Sequence, residues 1–158
     1  MKELASYLND HLAGSVAALD LLDHLIKKYE GKPLGNFFAN LRNDVDADQE
    51  VLRSLLPRFK VKESSLRKAG AWLAEKFGRA KIKVSGEDIG ELGLLHALEV
   101  LVLGISGKQL LWRALSATFA SSPLLKGVDL TRLEERAIEQ IERVEEKRLE
   151  AAREALLK

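Results

Sequence analysis

The fold turns on residues 57–86, PRFKVKESSLRKAGAWLAEKFGRAKIKVSG, a basic and broken stretch between two pairs of long amphipathic patterns. Pro57 ends the pattern before it. Ser85-Gly86-Glu87-Asp88 reads as the start of the pattern after it, with a capping residue and then acids where the helix dipole favours them. Inside the stretch, Ser64 or Ser65 can cap a short helix over about 65–78 with Leu66, Ala69, Leu73 and Phe77 turned inward. A connection this long returns the chain to the end of the bundle it came from, so the helices on either side of it run parallel.

The other connections are short. Leu4, Leu8, Leu12, Ser15, Leu19, Leu22, Ile26 and Tyr29 recur at steps of three or four and predict a first helix over about 3–30. Gly31 supplies a left-handed stop and Pro33 suits a new first turn, so a second helix, about 34–56, must fold back antiparallel. The third, about 87–119, is apolar on nearly all sides in its first half, which predicts a deeply placed helix. Within it, Gly104 and Gly107 let a neighbouring backbone come close. Ser121-Ser122-Pro123 breaks the chain, and Asp129, or Thr131 with Glu134 as a capping box, starts a last helix over about 129–157. The expected architecture is all-α and a single domain over 1–158: hairpin, long crossover, hairpin.

Composition narrows the chemistry. With 158 residues, 46% hydrophobic and 31% charged, the chain suits one globular domain that buries a core without staples. It has no cysteine, which excludes disulfides, thiolate metal sites and cysteine nucleophiles. The first residues enter amphipathic helix without a basic and then apolar leader, so a cytoplasmic location is expected. The apolar run from Leu92 to Ile105 is too short to span a bilayer and contains His96 and Glu99. Glycine-rich phosphate loops, Gly-x-Ser-x-Gly elbows and His-Glu-x-x-His are all absent. Gly104-Ile105-Ser106-Gly107-Lys108 looks like the tail of a phosphate loop, but it lies within helix and follows no strand.

In helix order and length the chain resembles the ferritin-like superfamily of four-helix bundles, over nearly its whole length. That resemblance implies a mid-bundle di-metal site built from one Glu on each of two helices and a Glu-x-x-His on each of the others. The sequence departs from this pattern. Glu-x-x-His occurs nowhere, and its nearest counterpart, Glu145-x-x-Arg148, puts a permanent cation in the histidine position. Asp48 lies on the second helix's seam with Asp44 a turn earlier, yet Val51 follows where a ligand is needed. The first helix offers Ser15 and His11, and the third offers Glu99 with His96 in reversed order.

His11, Asp48, Lys108, Glu145 and Arg148 are therefore expected to form a salt-bridged polar core, because an unpaired buried charge is costly. The protein is then a non-catalytic bundle without cofactor, acting through protein–protein contact or as a homodimer. The alternative is a carboxylate-based metal protein or oxidase, holding iron or manganese through His11, Asp48, Glu99 and Glu145. His24, with Asp20 four residues before it, reads as a solvated surface pair. A third reading rests on the crossover. Residues 58–83 carry nine basic against two acidic side chains, and Lys68, Lys76 and Arg79 flank Trp72, an arrangement that suits nucleic acid or an anionic membrane surface. Ordinary solvated surface accounts for the same residues.

Overall fold

The computed structural model describes residues 1–64 and 90–158, and those residues form four long helices packed together. Helix α1 spans Lys2–Lys28, α2 Pro33–Arg58, α3 Glu91–Phe119 and α4 Leu130–Leu156, with a single 3-10 turn at Pro123–Leu125 before α4. No strand occurs among the described residues. The short crossover helix expected over 65–78 lies outside them.

Each boundary has a local cause. The α1–α2 link is tight because Gly31 takes a left-handed φ of 75° and Lys32 N donates to Tyr29 O at 3.1 Å. Gly35 passes so close to Tyr29 O that a Cβ there would sit 2.2 Å from it. Helix α2 runs one residue past Pro57. Its end is closed by Lys60 N donating to Pro57 O at 3.0 Å and Val61 N to Leu56 O at 2.8 Å, the paired bonds of a Schellman stop. Lys60 occupies the left-handed position, at φ 55°, where glycine is usual. Helix α3 is capped at its start by Gly90, extended at ψ −178°; the expected start near 87 lies outside the described residues. At the start of α4, the Asp129 carboxylate accepts from Arg132 N at 2.9 Å, which settles the choice of cap.

Packing divides the interior into two apolar clusters. One joins Leu22 and Leu25 of α1, Phe38 and Leu41 of α2, Leu98 and Leu101 of α3, and Ala137 and Val144 of α4. The other joins Leu8 and Leu12, Leu55 and Phe59, Trp112 and Leu115, and Leu130 and Leu133. Helices α2 and α3 both pass from the first cluster to the second as the chain advances, so they run parallel; α1 and α4 run the opposite way. Arg58 ties the hairpins together by donating to Leu124 O at 3.2 Å and Lys126 O at 2.9 Å.

Candidate functional site: a polar layer across the bundle

Between the two apolar clusters every helix contributes a polar side chain. On α1 it is Ser15, on α2 Asp48 and Gln49, on α3 Lys108, and on α4 Arg136 and Gln140. Asp48, Gln49 and Gln140 are the three buried polar or charged residues among those described, and Asp48 and Gln140 are each 1% exposed.

Asp48 is the centre of the layer. Its Oδ2 accepts from Lys108 Nζ at 2.7 Å and from Gln140 Nε2 at 3.0 Å. Lys108 Nζ also donates to Gln140 Oε1, closing a three-residue ring. Asp48 Oδ1 has no hydrogen bond of good geometry and faces Arg136 Nη2 at 3.3 Å. Burial pushes the Lys108 ammonium below its ordinary range, outweighing the Asp48 carboxylate that raises it. Beside this ring Gln49 Nε2 donates to Ser15 Oγ at 2.9 Å, and Arg53 Nη1 donates to Gln49 Oε1 at 3.2 Å.

His11 is half-buried and packs edge-on against Tyr7, with ring centroids 4.7 Å apart. It shares with Asp48 and Lys108 a cavity of about 80 Å³ among α1, α2 and α3, which Leu103, Gly104 and Gly107 also line. Trp112 also lines this cavity, and its buried Nε1 has no acceptor among the described residues.

Glu145 and Arg148 are not brought to this layer. They pair with each other through a two-pronged contact of 2.6 and 2.7 Å, and Arg148 also reaches Glu99 Oε1 at 3.5 Å. Their side chains stay 39% and 26% exposed. The Arg148 guanidinium holds the Glu145 carboxylate below its ordinary range. Asp44 faces Arg143 at the surface, His24 and His96 are half-buried, and Asp20 is exposed. Lys68, Trp72, Lys76 and Arg79 lie outside the described residues.

Sequence reasoning missed Gln140 and Arg136, because two stripes compete on α4. The buried stripe of α4 passes through Leu133, Ala137, Gln140, Val144 and Ala151, steps of four, three, four and seven. Following Ala137 with Ile141 instead turns the stripe about 100° and carries Glu145 and Arg148 inward on paper.

The donor set does not suit a di-metal centre. Asp48 already receives an ammonium and an amide on one oxygen and faces a guanidinium with the other, while Glu99 and Glu145 are held by Arg148. Among the described residues no three of His, Asp and Glu converge. What the layer offers is a polar seam in which one buried carboxylate faces two cations, with Lys108 Nζ held by two acceptors. Compared with models of protein families, with curated proteins and with solved structures, the chain matches none.

Proposed function

We propose that the chain is a non-catalytic, ferritin-like bundle protein of the cytoplasm that acts by self-association. In it a salt-bridged polar layer takes the place of a di-metal centre. The observation that carries the reading is the position of Lys108. Its ammonium sits mid-bundle on Asp48, at a level to which each of the four helices contributes a polar group. A bundle cavity built that way is where carboxylate proteins hold their metals, and here a protein cation supplies the compensating charge. The parallel run of α2 and α3 supports the same architecture.

The test is metal content and oxygen chemistry. Protein expressed with iron and manganese supplied and purified without chelator is expected to carry well under one equivalent of metal and to consume no oxygen with ferrous iron. Stoichiometric iron, manganese or zinc, lost on Asp48→Ala, would overturn the reading.

A further inference from the structure

Helix α3 has a second face, with exposed leucines, that the described residues leave open. Leu92, Leu103 and Leu110 are 52%, 58% and 59% exposed. Its 18-residue apolar window is long and apolar enough to cross a membrane, yet only 39% of it is buried. The outermost stripe advances by alternating steps of four and three residues from Leu92 to Ala117, with Leu92, Leu103, Leu110 and Ala117 interleaved with His96, Glu99, Ser106 and Arg113. That repeat of 3.5 is the one two helices need to stay in register along a shared seam. A Cβ added at Gly104 or Gly107 would meet nothing within 4 Å, so the two glycines leave open space beside this stripe, and both line the cavity.

We infer that a second copy of the chain docks here, its α3 lying antiparallel on this one about a twofold axis near Ser106 and Gly107. Three features select a second copy over another occupant. A twofold interface must be self-complementary, so that when one residue meets another the reverse holds as well. About this axis Leu103 falls opposite the partner's Leu110, and Glu99 falls level with the partner's Arg113, joining opposite charges at both ends. The partner's Leu110 also arrives over the diamond formed by Val100, Leu103, Gly104 and Gly107, spaced i, i+3, i+4 and i+7, which is the hole a coiled-coil knob enters. Finally, the cavity lined by three residues of that diamond, Leu103, Gly104 and Gly107, has a volume of about 80 Å³, close to half the size of an apolar cavity that takes benzene, about 150 Å³. It suits the branched end of a leucine rather than a cofactor. Glu99 and Arg113 keep their intramolecular partners, Arg148 and Glu134, yet remain 44% and 61% exposed and free to make a second contact.

The inference rests on the self-association proposed above and adds the face and the register. It is tested by sedimentation equilibrium on the full chain. Wild type is expected to form a dimer that dissociates in the micromolar range. Leu110→Lys is expected to weaken it by more than about tenfold, the scale of losing a buried leucine, with an unchanged helical spectrum. Glu99→Arg and Arg113→Glu each weaken the homodimer, and mixing the two variants restores association, because only the mixed pair sets arginine against glutamate at both ends. Monomer throughout, with or without co-sedimentation on anionic phosphatidylserine vesicles, overturns both the inference and the self-association reading. A dimer indifferent to Leu110→Lys, with no rescue on mixing, overturns the face and register while leaving self-association standing.

Discussion

Two clusters of charge bridge the same pair of helices, α3 and α4, under different physics. Lys108, Asp48 and Gln140 lie in the polar layer between the apolar clusters, where the Asp48 side chain is fully covered. Arg148, Glu145 and Glu99 meet at the rim, where water reaches all three. Both look alike in sequence, as ionisable residues among Leu, Ile, Val and Ala. In water a broken pair is resolvated at little cost, while in the interior the surviving partner has nowhere to go. The first cluster is therefore a constraint on the fold, and the second is surface.

The largest expected effect is from Lys108→Met, which keeps the apolar stem and removes the charge. Asp48 is then left buried with Arg136 as its one cation and Gln140 as its remaining donor, and urea unfolding should show a loss of about 3–5 kcal/mol. Next comes Gln140→Leu, which takes one donor from Asp48 Oδ2 and one acceptor from Lys108. A loss of about 1–3 kcal/mol is expected for the groups left unsatisfied.

A smaller effect follows from the depressed Lys108 pKa. Between the folded value and the ordinary 10.5, the unfolded chain holds a proton there that the folded chain has released. Stability from this group therefore rises with pH across that window, and below it the full cost of burying the charge remains. Melting temperatures taken from pH 7 to 10.5 should show this rising contribution in wild type relative to Lys108→Met, once the common baseline is subtracted. Smallest of all is Arg148→Ala, whose melting temperature is expected within the scatter of ordinary surface substitutions. A loss as large as that of Lys108→Met would erase the distinction between the two clusters.

Much of the fold was legible because it follows from local rules. Gly31 and Pro33 dictate a tight hairpin, Asp129 caps α4, and the length of the 57–86 crossover dictates parallel α2 and α3. The site was legible only in part. Asp48 and Lys108 stand out as charges on apolar seams of α2 and α3, where the stripe is unambiguous. On α4 the stripe is not. Steps of three and four can alternate in either order, apolar residues stand at both Ile141 and Val144, and Gln140 does not announce itself as buried. A single choice of step decides whether Gln140 or Arg148 faces inward, and only the packing of the other three helices makes that choice. The same limit applies to α3, whose apolar residues all round conceal which face the bundle uses and which it leaves open.

The most direct test of the central claim, that Lys108 is the charge partner of Asp48 inside the bundle, is a double-mutant cycle read by urea unfolding. The corners are wild type, Asp48→Leu, Lys108→Met and the double variant. Asp48→Leu leaves the Lys108 ammonium without its carboxylate, and Lys108→Met leaves Asp48 with Arg136 and Gln140 only. The double variant is therefore expected to recover much of the loss, with a coupling of about 2 kcal/mol or more between the sites. Additive losses, with the double variant the least stable of the four, would contradict the account.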